Sequence, residues 1–478
     1  MIMKILSIIA QKPSSTGSGV YLSELVRCFK EMGHEQEIIC AVYEGDVVGA
    51  NINVAYTVRD DGVGANEDIV GANACGARSM GELHEPHYNK IIFNTKELPI
   101  KIAGMSDVMP YESMRYSELA NDEKKLSLWM EAFDKKVREV LERFKPDLII
   151  CHHLYLLTAL AISIINENGL TKFAPTDAVS QSFAPTKPKV YGICHNTDLR
   201  QYQQTNLKRE FIKENIAKLD KTFFPSEEHA KKAIELYDLD RKKVEIIGIG
   251  YNNNIFKNRR GLTEFAPTAD SQSFAPTADL QSFVPAADSQ SFAPTVKKLL
   301  YVGKVAKKKG VLSLVKAINI LKDENIVLDI IGGAGDKEEY EEILGESKKS
   351  ISKINFLSPM TQEELAIEYN SHDIFILPSF SEGIPMVPLE AMACGCKVVI
   401  SDLPGVKNFY NENVEGACIK YVKLPKLTNV DEATKDELLV FEKNLASAII
   451  DSINDSGHYE PNLSKISWEN IARKVSCI

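Results

Sequence analysis

Short apolar runs alternate with longer stretches of helical spacing along most of the chain. Lys4 to Ala10 reads as a buried strand, a segment from about Val20 to Met32 as an amphipathic helix closed by Gly33-His34, and Glu37 to Val42 as a second strand. Helical spacing resumes near Ser117 and runs towards Arg143. It is followed by a strand, Pro146 to Cys151, and a helix, Leu156 to Asn168. Val190 to Cys194, Thr222 to Ser226 with a helix after it, and Val244 to Gly250 continue the series. Lys298 to Val302 opens a second series: helix Val311–Leu321, strands Ile326–Ile331 and Ile354–Leu357, and a helix from Thr361 to Asn370. Thr361 with Glu364 three residues on is a capping-box spacing. Strand Ile374–Leu377, helix Val387–Ala393 and strand Lys397–Ile400 follow, and Ser464 to Ile478, with Trp468, reads as a terminal helix. Strands separated by helices predict parallel sheets built from βαβ units, an α/β fold.

Three blocks interrupt this pattern. Val-Gly-Ala-Asn occurs at 48–51, 63–66 and 70–73. Phe-Ala-Pro-Thr occurs at 173–176, 183–186 and 265–268, and full or partial copies at Phe274, Phe283 and Phe292 give a nine-residue period. Each unit of the second kind carries a proline and few core residues, so these blocks read as loop insertions that remain largely disordered. The expected organisation is a first domain over 1–250 with insertions at about 46–79 and 173–187. A linker with the repeats covers 251–297, a second domain 298–463, and a helix over 464–478 crosses back to the first domain.

Composition narrows the function classes. The chain has 478 residues, enough for two or three cores, and a net charge of −10 disfavours nucleic acid as a general partner. Nine cysteines, an odd number without framework spacing, point to a reducing, cytoplasmic compartment. No run of about 18 apolar residues exists to span a membrane, and the apolar start reads as a strand rather than a signal peptide.

The densest chemistry lies in Phe380 to Gly395. A strand ends at Pro378-Ser379, a turn carries Glu382, and a helix begins near Pro388, which suits a first turn because its missing N–H has no intrahelical partner. Glu390 sits near the start of that helix, eight positions after Glu382. A loop that ends at a helix N-terminus favours an anion. For an arbitrary pair of glutamates, two surface carboxylates beside a packed turn is the plain alternative. Gly303 to Gly310, between a strand and a helix, contains Lys304, Lys307, Lys308 and Lys309. That run is either a solvated turn or a phosphate loop. Gly17-x-Gly19 follows the first strand but has Leu22 at the third position of a dinucleotide fingerprint, so a tight turn and a ligand loop both stay open. His152 and His153 are adjacent on a strand, so they are expected to face opposite sides and not to share a metal ion. Cys394-Gly-Cys396 has no second ligand pair and reads as buried thiols. His195 ends the strand Val190–Cys194, where a hydrogen-bonded structural histidine is the default.

Pro378-Ser379, Glu382-Gly383, Pro388-Leu-Glu-Ala-Met-Ala393 and Gly395 together resemble the Glu-x7-Glu signature of retaining glycosyltransferases of the two-Rossmann GT-B fold, family 4 in particular. His195-x-Thr-Asp-Leu199 resembles a second motif of that family. Lys309 matches its phosphate-loop lysine, while Lys304 stands where arginine is usual and lacks the bidentate fork. The resemblance covers most of the chain outside the insertions. It implies transfer of a sugar from a nucleotide-sugar donor to a glycan, lipid or small-molecule acceptor with retention, in cell-envelope or polysaccharide synthesis. It implies that Glu382 holds the donor sugar, Glu390 the ribose, and His195 the region of the reacting carbon. Lys304 and Lys309, Gly303, and the loop Gly383-Ile384-Pro385-Met386 would hold the diphosphate, with Gly17 and Gly19 approaching donor or acceptor. No cofactor or metal is expected, and peripheral contact with the inner face of a membrane is compatible with a lipid acceptor. An inactive nucleotide-sugar-binding protein of the same fold remains an alternative. A nicotinamide-dependent enzyme is a weaker one, since the third glycine and the ribose-binding acid are missing. Oligomeric state is open.

Overall fold

A computed structural model of the chain describes residues 2–13, 16–46, 48, 84–105, 113–167, 187–260, 296–323, 325–428 and 433–476. The Phe-Ala-Pro-Thr units, and the Val-Gly-Ala-Asn tetrads apart from Val48, lie outside the described residues.

Two parallel sheets organise the chain. The first contains β1 (Lys4–Ile8), β2 (Glu35–Tyr43) and β3 (His87–Phe93). β4 (Ala103–Gly104) and β5 (Met114–Arg115) pair separately as a short ribbon. The sheet continues with β6 (Leu148–His152), β7 (Lys189–Ile193), β8 (Lys221–Phe224) and β9 (Val244–Ile246), in the order β3-β2-β1-β6-β7-β8-β9. The second contains β10 (Lys297–Val302), β11 (Ile326–Ile331), β12 (Lys353–Leu357), β13 (Ile374–Leu377), β14 (Lys397–Ser401) and β15 (Ile419–Val422). Its order is β12-β11-β10-β13-β14-β15. Both orders reverse direction beside the first strand, at β1/β6 and at β10/β13. In open α/β sheets ligands bind at the carboxyl ends of the strands at such a reversal.

The helices explain how the sheets are covered. α1 (Gly17–Glu31) follows β1, and α2 (Tyr116–Ala120), α3 (Glu123–Phe144) and α4 (Leu156–Glu167) come next. α5 (Thr197–Gln204), α6 (Arg209–Ile216) and α7 (Glu227–Tyr237) complete the first unit. In the second unit stand α8 (Val311–Leu321), α9 (Lys337–Ser347), α10 (Gln362–Ser371), α11 (Val387–Ala393), α12 (Val406–Asn413) and α13 (Lys435–Asn454). Strands covered on both faces need continuous apolar sequence. Accordingly every residue of β6 and β13 is buried.

Two expectations are corrected here. Gly17 and Gly19 do not lie in a loop before the first helix. Thr16 caps α1 by accepting the Gly19 N–H at Oγ1 (3.2 Å), which starts the helix at Gly17 and puts both glycines in its first turn. The single helix expected from Ser117 to Arg143 is two helices, because Asp122 accepts the N–H groups of Lys124 and Lys125 and begins a new one.

The last helix, α14 (Trp468–Ser476), packs against α1 of the first unit. Trp468 is buried with its ring edge-on to Tyr21 (centroids 4.7 Å), and Arg27 donates to Glu469 (2.9 Å). Across the units Asn408 also donates to Glu228 (2.9 Å). No helix among the described residues is long and apolar enough to cross a membrane.

Candidate functional site

One wall of the site comes from the ends of β10 and β13, which are adjacent strands. After β10 the chain passes Gly303 and Lys304 and tightens into a 3-10 turn, Lys307–Lys309. Gly310 then takes a left-handed conformation (φ +72°) before α8 begins. A Cβ at Gly310 would lie 2.0 Å from the Pro378 carbonyl oxygen, so this position needs glycine for both backbone and packing reasons. The close approach brings the lysine loop onto the segment after β13, where the Phe380 N–H donates to the Lys308 carbonyl (3.0 Å). Lys309 Nζ therefore reaches Glu382 Oε1 at 2.7 Å, and Ser379 Oγ donates to the same oxygen at 2.8 Å. Burial, and then the charge of Lys309, push the Lys304 ammonium below its ordinary value. Gly332, at the end of β11, abuts Gly303 so closely that a Cβ would stand 1.8 Å from the Gly303 carbonyl oxygen.

Beyond Glu382, the loop Gly383-Ile384-Pro385-Met386 leads into α11, with Pro385 held by the Tyr410 hydroxyl (2.8 Å). Glu390 lies in the first turn of α11 and is buried, with the Tyr369 hydroxyl donating to its Oε2 at 3.2 Å. Burial pushes its carboxyl up to about 7.

The facing wall comes from the ends of β6 and β7. His195 follows β7, and Asn196 takes φ +67° and donates from Nδ2 to the Glu382 carbonyl at 3.1 Å. A Cβ on Gly383 would stand 3.6 Å from the Asn196 side chain and 3.8 Å from the His195 carbonyl oxygen. The two walls thus meet at Glu382-Gly383. Asp198, fully buried, ties the wall together: it accepts the Leu154 N–H (2.7 Å) and the N–H groups of His195 and Leu199. Burial raises its carboxyl, and the three backbone donors oppose that shift.

The expectation for His152 and His153 is corrected. His153 has φ +71°, so it has left the strand and the two rings do not diverge across the sheet. His152 Nδ1 is 3.1 Å from His195 Nε2, and the His153 ring centroid is 4.7 Å from that of His195. All three imidazoles are pushed down by burial, His195 to about 3, so they are neutral at ordinary pH.

The structure therefore brings Lys309, Glu382 and Gly383 together beside the His195 backbone, while the His195 ring lies against His152, His153 and Tyr21; Lys304 is on the lysine loop and Glu390 on α11, after the glutamate loop. Gly17 and Gly19 stand on α1, whose Tyr21 ring is 5.2 Å from that of His195. Asp198, Asn196, Tyr21 and Ser379 are contributors that sequence reasoning did not assign. Asp198 had a readable signal, an acid in the first helical turn after a buried strand, whereas the others are identified only by proximity. Cys394 and Cys396 are free, buried thiols, and Cys396 Sγ donates to the Tyr369 carbonyl (3.0 Å).

Residues 286–426 match the family of glycosyl transferases group 1. An uncharacterized glycosyltransferase of Methanocaldococcus jannaschii is 32% identical over 182 residues, 37% of this chain and 43% of that protein. A D-inositol 3-phosphate glycosyltransferase of Pseudarthrobacter chlorophenolicus is 35% identical over 113 residues, 23% of this chain and 27% of that one. The chain thus matches less than half the length of these relatives. Two solved structures align over 99% of this chain: sucrose-phosphate synthase of Thermosynechococcus elongatus (TM-score 0.56, 13% identity, 97% of that chain) and α,α-trehalose 6-phosphate synthase of Burkholderia multivorans (TM-score 0.55, 13% identity, 94% of that chain). At such identity these likenesses carry the fold alone. The fold is GT-B, two Rossmann-like units, and the family match supports a group 1 glycosyltransferase.

Proposed function

We propose that this chain transfers a sugar from a nucleotide-sugar donor to a sugar or lipid-linked acceptor with retention of anomeric configuration, as a family 4 type enzyme. The carrying observation is the Lys309–Glu382 pair at the point where the loops after β13 and β7 touch, through Asn196 and with the His195 carbonyl beside Gly383. Expulsion of a nucleoside diphosphate places negative charge on the leaving phosphate and positive character on the sugar carbon. Lys304, Lys309 and the loop Gly383–Met386 would offset the first without a metal. A diphosphate oxygen would compete with Glu382 for Lys309, and Glu382 would then be open to the sugar's hydroxyls. Glu390, in the first turn of α11, would accept from the ribose. The His195 ring is neutral because packing against His152, His153 and Tyr21 strips water from it, and a neutral ring adds no repulsion beside a carbon that is becoming positive. The acceptor would meet the loops of the first unit, and a cytoplasmic setting with peripheral membrane contact fits a lipid acceptor.

The test is a panel of UDP-, GDP- and ADP-sugars followed by proton NMR of the released or transferred sugar. The reading predicts one base to be used, the nucleoside diphosphate to be released, and the first-formed product to keep the donor's anomeric configuration. First-formed product of the opposite configuration would contradict retention. Absence of turnover with the whole panel would contradict the transferase reading.

A further inference from the structure

His152 and His195 lie 43 residues apart and are joined because β6 and β7 are neighbours in the sheet. Their ring planes differ by 14° and their centroids are 5.3 Å apart, with 3.1 Å between Nδ1 of one and Nε2 of the other. Such rings meet edge to edge, as an in-plane N–H···N bond requires. Both are neutral, so one hydrogen lies between them and either ring can be its donor.

The surroundings decide which. His152 is 1% exposed, and its Nε2 has no hydrogen-bond partner. If the His152 proton sat on Nε2, it would be an orphaned buried N–H, which proteins avoid more strictly than an under-used acceptor. With the proton on Nδ1, His152 instead donates to His195 Nε2 and leaves only a bare acceptor nitrogen in the interior. His153 has no such choice, since neither of its ring nitrogens has a partner. His195 must then carry its own proton on Nδ1. Because His195 is partly exposed while His152 and His153 are buried, Nδ1 is the ring atom left to meet a ligand.

We propose that His152 is a positioning residue that holds His195 as its Nδ1–H tautomer, so that His195 presents a hydrogen-bond donor to an oxygen of the bound donor substrate. The inference rests on the transferase reading for the identity of that oxygen, a sugar hydroxyl or a leaving phosphate oxygen, and not for the tautomer itself. The tautomer follows from the interior around His152. It differs from an acid–base role, because the ring neither gains nor loses a proton.

The test is 15N NMR of the full chain labelled at histidine, with the His195 signals identified as those missing in His195→Asn. His152→Phe keeps an aromatic ring at the position and removes both nitrogens, and its melting curve checks that it folds. Should it not fold, the unsubstituted protein still reports the tautomer. The expected result is a protonated Nδ1 and bare Nε2 on His195 in the unsubstituted protein, and loss of that single tautomer in His152→Phe. Turnover of the nucleotide sugar should fall about tenfold in His152→Phe, with nucleoside diphosphate affinity unchanged within about twofold. A His195 with its proton on Nε2, as a bridging water beside the equally unpartnered Tyr21 hydroxyl would produce, overturns the proposal. So does a tautomer or a turnover that His152→Phe leaves unchanged. If no nucleotide sugar is turned over by the unsubstituted protein, the transferase reading fails while the tautomer remains readable.

Discussion

Burial moves Glu390 and the three histidines in opposite directions on the proton scale, and both shifts have measurable consequences. The Glu390 carboxyl is raised to about 7, so it holds its proton over much of the neutral range. On the proposed reading, ribose hydroxyls would donate to it and favour the carboxylate, so donor binding would drive the proton off below that value. Nucleoside diphosphate affinity should therefore rise from pH 6 to pH 8, approaching tenfold per unit on the acid side, and titration calorimetry should show a flatter profile in Glu390→Gln. The phosphate's own titration is common to both proteins and cancels in the comparison. The histidines affect stability. The unfolded chain takes up a proton on each below its ordinary value of about 6.5, whereas folded His195 resists until about 3. Their contribution is thus full above pH 6.5 and lost as pH falls, by up to about 1.4 kcal/mol per unit for each ring. Glu390 acts the other way, losing its contribution as pH rises from its unfolded value towards 7. Asp198 is raised as Glu390 is, so the His195 ring is isolated by comparison: any fall in the urea midpoint between pH 6.5 and pH 5 should be smaller in His195→Asn than in the parent protein. Equal slopes in the two proteins would contradict the neutral histidine cluster.

At the level of elements, the strands and helices next to the lysine and glutamate loops were the most legible, whereas α9, α12, β15 and α13 were not anticipated. Ile326–Ile331, Ile374–Leu377, Val311–Leu321 and Val387–Ala393 have the boundaries that apolar runs and flanking Gly or Pro indicate, because a strand buried on both faces leaves little ambiguity. The capping box at Thr361 is also formed. In the first unit, side-chain caps at Thr16 and Asp122 outweighed the pattern and moved helix boundaries. The local residues of the candidate site were readable from spacing, but their pairings were not. Lys309 and Glu382 are 73 residues apart, and His152 reaches His195 only because a strand neighbour is chosen by the whole sheet. The glycine that brings the lysine loop to the glutamate loop gives the test at this scale. Gly310→Ala should lower stability by about 2 kcal/mol or more, since φ +72° and the Pro378 carbonyl both resist a Cβ. The same variant should weaken nucleoside diphosphate binding, because Lys309 then loses its place. A urea midpoint within experimental error of the parent protein would contradict the close approach.

For the whole molecule, two sheets place their topological reversals at opposite walls of one site, and each wall alone holds only part of the chemistry. The overall charge of −10 works against an anionic ligand, so on the proposed reading binding would be local, through Lys304 and Lys309. The units are also joined by α14 on α1, through Trp468 and the Arg27–Glu469 pair, and by Asn408 on Glu228, both separate from the Asn196–Glu382 contact. The most direct test of this account is the melting temperature of the full chain with UDP, GDP, ADP and NAD in turn, set beside Lys304→Ala/Lys309→Ala. A ligand of the folded state at a hundred times its dissociation constant adds about 2.7 kcal/mol. The account predicts a rise with one nucleoside diphosphate that is mostly lost in the double variant. A rise with NAD alone, no rise with any of the four, or a rise that survives loss of both lysines would contradict it.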